Sequence, residues 1–242
     1  NNILPCLHMV NINNYTKKKL IFQNELIKIN EIEEKETGEL FYCKKPNFDE
    51  VIENNNKNAF QLVMNYFYFE VSNSYLLSHP SLLNFVGYSP TNYIGKPIPM
   101  SIYQYATNGS LDDIIKMGNK FIEGWDDTAM LIVIYGIASC LSYLHSKGNI
   151  HYNLNPGNIF LDEFFFPKIT GVMIYQNQSD FCKSTGMITL QNSQYYHYRS
   201  PEVMQQNVFD KSVDIYSFGM IVYSIISKEI PFRTKSPFYI SH

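Results

Sequence analysis

His151-Tyr152-Asn153-Leu154-Asn155-Pro156-Gly157-Asn158-Ile159-Phe160-Leu161-Asp162 decides how the rest of the chain is read. A short polar loop carrying His, Pro, Gly and three Asn sits between two apolar segments. Asn155-Pro156 and Pro156-Gly157 are strong turn signals, and Ile159 to Leu161 then reads as a short buried strand. Near the start of the loop stands Asn153. An amide has no basic lone pair near neutral pH, so it can hydrogen-bond a hydroxyl but cannot take its proton.

The spacing resembles the catalytic loop of eukaryotic protein kinases, H-R-D-L-x-x-x-N. His151, Leu154 and Asn158 fall where that motif has them, while Tyr152 stands at the Arg position, Asn153 at the Asp position and Asn155 at the loop Lys position. In the kinase mechanism the Asp accepts the proton of the substrate hydroxyl. The resemblance therefore implies an α+β, bilobal kinase-like fold with its chemistry removed. Residues 1–103 are expected to form a small lobe, an antiparallel sheet with one αC-type helix, after a polar lead-in over 1–19. Residues 104–242 are expected to form a mostly helical large lobe, incomplete at its end, because a kinase large lobe normally has several more helices.

Size and composition are compatible with this. The chain has 242 residues, 45% hydrophobic and 17% charged, enough to bury a core as one large domain or two small lobes. A net charge of -3 gives no reason to expect nucleic acid or an anionic membrane as partner. Cys6, Cys43, Cys140 and Cys182 show no C-x-x-C spacing, which suits reduced thiols in the cytoplasm. The six histidines show no ligand spacing, so no metal site built from side chains is expected. No uninterrupted apolar run reaches about 18 residues, so no membrane span is expected. Asn1-Asn2-Ile3-Leu4-Pro5 is not a signal-peptide start.

Towards the N-terminus, Leu26 to Ile32 and Leu40 to Lys44 read as strands joined by the charged turn Glu33 to Glu39. In the resemblance the second of these carries V-A-I-K, with Lys44 as the phosphate-pairing Lys and Tyr42 at the adenine-facing Ala. A phenol in place of one methyl is expected to fill the base pocket. The glycine-rich loop maps onto Phe22, Asn24 and Ile27. Glycine serves there because a backbone without side chains approaches phosphates closely. Ala59 to Leu77 reads as a helix wedged between lobes, its Glu70 the αC partner of Lys44, followed by the turn His79-Pro80. Leu82 to Gly87 and Pro99 to Tyr105 read as further strands, with Tyr103 the gatekeeper and Gln104, Tyr105 and Ala106 the hinge before Asn108-Gly109-Ser110-Leu111.

Towards the C-terminus, Asp126-Asp127-Thr128 caps a helix running to about Ser146, apolar all round and read as a core helix. Pro167 to Thr170 reads as a strand leading to Gly171, where kinases place the Mg²⁺-binding Asp of D-F-G. A hydrogen in place of that carboxylate leaves no oxygen for a hard cation. Asn158, the second metal ligand of the family, has lost its companion. Tyr198-Arg199-Ser200-Pro201-Glu202 resembles Y-x-A-P-E. Asp214-Ile215-Tyr216-Ser217-Phe218-Gly219 is similar to D-V-Y-S-F-G of the tyrosine-kinase-like group. The resemblance makes His151, Glu202 and Asp214 structural, and Phe160 a wall of a degenerate nucleotide cleft beside Lys44, Glu70, Tyr42, Tyr103, Gln104, Ala106 and Asn158. With Tyr152 in place of the motif Arg and only Arg199 and Arg233 in the chain, switching by a phosphate docked on that Arg is not supported.

Three functional readings follow. The first is a pseudokinase, not an enzyme, serving as a protein-interaction or scaffold module in signalling, with ATP and Mg²⁺ binding weak or absent and its protein partner unknown. The second is a weakly active or atypical ATP-dependent kinase using a substitute carboxylate, Asp162 or Asp180. The third is a truncated product without selected function.

Overall fold

Five strands between Tyr15 and Gln104 build one antiparallel sheet in the order β1-β2-β3-β5-β4, comprising β1 (Tyr15–Gln23), β2 (Ile27–Glu34), β3 (Leu40–Pro46), β4 (Phe85–Ser89) and β5 (Met100–Gln104). The structure is a computed structural model and describes residues 8–23, 27–48, 57–118, 120–172, 195–204 and 210–233. Its contacts divide the chain into two units, residues 1–78 with 83–105, and residues 79–82 with 106–242.

In the first unit one face of the sheet buries Ile32, Phe41, Cys43 and Ile102 against Ile12 and Tyr15. Tyr15 meets Phe41 edge-on at 5.7 Å, an arrangement that aligns ring edge with ring face. Helix α1 (Lys57–Leu76) buries Val63, Tyr66, Phe67, Glu70 and Val71, one stripe at helical spacing, with Phe67 and Val71 packed on Tyr88 of β4. Of the stretch read as a polar lead-in, 1–19, the described residues 8–19 contribute to the sheet. Tyr88 N–H donates to the His8 carbonyl (2.8 Å) and Val10 N–H to the Tyr88 carbonyl (2.9 Å), so residues 8–10 cover the β4 edge. Lys17, Lys18 and Lys19 lie in β1, the opposite edge. An edge strand carries charge to discourage further pairing, and that charge is what made it look like a solvated leader.

The second unit is mostly helical. Helix α2 (Leu111–Met117), which the sequence reading passed over, opens on a capping box: Asp113 N–H donates to Ser110 Oγ and Ser110 N–H to Asp113 Oδ2 (3.2 and 3.1 Å). Helix α3 (Asp127–Ser146) is capped by Asp126, whose Oδ1 accepts from Ala129 N–H at 2.9 Å. α3 is long and apolar enough by length and composition to cross a bilayer, a test that the buried core helix of a globular domain also passes. The expectation of no span counted uninterrupted apolar residues, whereas small residues such as Gly136, Ser139 and Ser142 barely dilute the helix. In this fold Ala129, Val133, Ile137, Cys140, Leu141 and Leu144 are buried, the stripe of a core helix. The hairpin of β6 (Ile159–Leu161) and β7 (Pro167–Ile169) packs beside it; a Cβ on Gly136 would stand 2.4 Å from Pro167 Cγ. Short α4 (Pro201–Met204) and long α5 (Ser212–Ser227) complete the described part.

Candidate functional site

The first unit places Lys44 on β3 and Glu70 on α1, both buried, with Lys44 Nζ donating to Glu70 Oε1. β3 lies between β2 and β5, and the Lys44 side chain reaches Glu70 on α1, which packs against β3. Its ammonium lies 5.6 Å from the ring centroid of Tyr103, and Tyr103 Oη donates to Ser74 Oγ at 3.2 Å. Burial pushes the Tyr103 phenol well above the ordinary tyrosine range, the Glu70 charge adding to it. Tyr42 is buried with its ring 4.8 Å from that of Tyr105, whose hydroxyl donates to Glu31 at 2.7 Å. Gln104 is exposed, its N–H bonded to the Asn84 carbonyl. Phe22 and Ile27 pair with Ile29 and Pro46; Asn24, the second glycine-loop position, lies outside the described residues.

The second unit builds the loop from which the sequence was read. Asp214, buried on α5, accepts three bonds: from His151 N–H and Tyr152 N–H at 2.8 Å each, and with His145 Nε2 at 2.8 Å. A buried carboxylate needs such donors, and here they hold Tyr152 in the left-handed region at φ 67°, where a bulky residue costs about 1–3 kcal/mol. Beyond it, Asn153 N–H bonds His151 Nδ1 at 3.3 Å. Asn155 caps the turn Pro156–Asn158, its Oδ1 accepting from Gly157 N–H (3.0 Å) and its Nδ2 donating to the Asn153 carbonyl (2.9 Å) and Oδ1 (3.3 Å). Asn158 Nδ2 donates to the same carbonyl at 2.8 Å. Two side-chain amides thus fasten the Asn153 backbone, and the loop is preorganised without a carboxylate at its tip.

Gly171 is buried at φ 76°, a conformation glycine adopts without strain, and a Cβ there would meet the Asn158 amide at 3.1 Å. The resemblance implies Mg²⁺ at this point. The donor set does not fit it: Gly171 offers no side-chain oxygen, Asn158 is a neutral amide tied to the loop, and the described residues contain no metal-holding group of three His, Cys, Asp or Glu. Asp162 is engaged elsewhere, its Oδ1 accepting from Phe164 and Phe166 N–H; Asp180 lies outside the described residues. Ala106 and Phe160 are buried in this unit, Phe160 in β6. Glu202 opens α4, half-buried, and its charge adds to burial in pushing the Tyr216 hydroxyl up.

Sequence reading missed Tyr195. Its hydroxyl donates to Asp112 Oδ2 at 2.9 Å, Asp112 is paired with Lys116 at 2.6 Å, and a Cβ on Gly157 would lie 2.3 Å from that hydroxyl. Only the i,i+4 spacing of Asp112 and Lys116 was visible in the sequence.

Comparison with known proteins yields a match of residues 15–240 to the family described as protein kinase domain. Among similar proteins are the serine/threonine-protein kinase VIK of Arabidopsis thaliana, 31% identical over 74% of this chain and 40% of that protein, and the dual specificity protein kinase pyk3 of Dictyostelium discoideum, 29% identical over 68% of this chain and 11% of that protein. A third is the inactive leucine-rich repeat receptor-like protein kinase CORYNE of Arabidopsis thaliana, 33% identical over 54% of this chain and 31% of that protein. The chain therefore spans less than half the length of these relatives. The expectation that the chain is not an enzyme is corrected by these matches: the family is one of kinases, and the first two relatives are named as serine/threonine and dual specificity kinases. The sequence reading had weighed three altered parts, the glycine-rich loop, the metal Asp and the base Asp, above the retained framework of motifs.

Proposed function

The chain belongs to the protein kinase domain family, and on that premise we propose that it is a slow, atypical ATP-dependent protein kinase of the serine/threonine kind, with affinities to the tyrosine-kinase-like group. The observation that carries the reading is the loop at Asn153: its frame is retained through Asp214, but an amide stands where a base would. Asn153 can orient a substrate hydroxyl without accepting its proton, so as the bond to the γ-phosphorus forms and ADP leaves, the proton passes to a phosphoryl oxygen or to water, and lack of a general base typically slows transfer by 10²–10⁴. Lys44, held by Glu70, is the cation left to attract phosphates. ATP is held weakly, because Tyr42 brings a phenol to the adenine-facing position, and no step depends on Mg²⁺.

The second reading is a module that works in signalling chiefly by binding a protein, transfer being accessory. It is favoured by the two amides that spend themselves on the Asn153 carbonyl, and by likeness to a relative named inactive.

Incubation with γ-labelled ATP and a generic basic protein tests the first reading. Slow labelling of Ser or Thr is expected, lost in Lys44→Met/Glu70→Leu, which removes the cation without stranding a charge. Label no greater than in that variant would contradict it.

A further inference from the structure

The second unit presents an aromatic surface that the loop chemistry does not use. In the β6–β7 turn Phe164 is 67% and Phe166 50% exposed, and in the segment before α3 Phe121 is 91% exposed. These are not slack positions. Asp162 Oδ1 accepts from both Phe164 N–H (3.0 Å) and Phe166 N–H (2.9 Å), and Asp162 N–H closes the turn on the Phe166 carbonyl at 3.1 Å. Between them Phe165 turns inward at φ 61° and is buried. Its ring lies 5.5 Å from that of Trp125, and a Cβ on Gly124 would touch it at 3.0 Å. Phe165 therefore joins the turn to the segment carrying Phe121, and its two neighbours are held out into solvent by a braced backbone. Exposed phenyl side chains gathered on adjoining loops, two of them on a braced turn, form an apolar patch of the kind that marks docking surfaces.

The charges around them select the partner. Glu123, Asp126, Asp127 and Glu163 are exposed on the same two segments. Of the described cations there, Lys168 is engaged with Asp162 and the Pro80 carbonyl, leaving Lys120. An acidic rim repels nucleic acid and anionic lipid and attracts cations, and a guanidinium or ammonium stacks favourably on a phenyl face. We propose that this surface docks a basic segment of a partner protein in which Arg or Lys alternates with apolar anchors. The proposal does not rest on the reading of the transfer chemistry: it concerns other residues and holds whether transfer is slow or accessory.

The test is fluorescence anisotropy of the full chain with a short labelled peptide of alternating arginine and leucine, against one of alternating glutamate and leucine. Saturable binding of the first alone is expected, weakened at least about tenfold by Phe121→Ser/Phe164→Ser and, independently, by the charge reversal Glu123→Lys/Glu163→Lys. All four side chains are exposed, so both variants are expected to keep the parent Tm. No saturable binding of the arginine peptide, or binding that both variants leave unchanged, would overturn the proposal. So would self-association of the chain that the Phe variant abolishes, since the surface would then be covered by a second copy.

Discussion

Glu70 has one carboxylate oxygen bonded to Lys44 Nζ and the other, Oε2, without a hydrogen-bond partner among the described residues. Taking both charges out of water is costly, and their attraction offsets that cost only while both are present. Glu70→Ala is therefore expected to destabilise the chain by about 3–5 kcal/mol. Lys44→Met/Glu70→Leu should be close to neutral, since volume is replaced and no charge is stranded. Urea unfolding separates the two cases; a double variant as unstable as the single one would show that the pair itself stabilises the fold. This contact was legible from motif spacing, 26 residues apart though it is. The bond of Tyr195 to Asp112 was not: no periodicity or cap signals a hydrogen bond that spans 83 residues and depends on the bare surface of Gly157.

At the scale of elements, the helices announced themselves where a cap preceded a long apolar run, as Asp126 precedes α3. β2 to β5 were located to within a few residues, β2 by alternation, whereas most of β1 was read as leader because its lysines look solvated. What stayed hidden were elements defined by a neighbour rather than by their own pattern. Residues 8–10 acquire strand-like pairing only because β4 offers a free edge and Gly87 leaves room: a Cβ at 87 would stand 2.3 Å from Val10 Cγ1. Gly87→Leu is expected to push this segment off the edge while leaving the sheet intact. Hydrogen exchange reads it directly. The amides of Val10 and Tyr88, which donate across that edge, should lose protection, with those of β2 and β3 unchanged. Retained protection at Val10 and Tyr88 would mean that the segment is held by something other than the fit at Gly87.

On the scale of the whole molecule, the order of motifs from Lys44 to Asp214 identified the family, because spacing over some 170 residues is far more specific than any one motif. The same reading erred on activity. It summed substitutions at Asn153, Gly171 and the glycine-loop positions, but the sequence shows only which side chains are lost, not how firmly the surrounding frame is kept. The structure keeps Lys44 paired in the first unit and His151 and Tyr152 fastened to Asp214 in the second. On the proposed reading the amide at Asn153, on an otherwise braced loop, is the part of the transfer chemistry whose loss a single substitution can test, beside the missing carboxylate at Gly171 and the phenol of Tyr42. The most direct measurement is the rate of phosphate transfer from γ-labelled ATP by the intact chain and by Asn153→Asp, under the same saturating conditions. Restoring a carboxylate is predicted to raise the rate by something on the order of 10²; an unchanged rate would contradict the account, since the missing base could not then be what limits transfer.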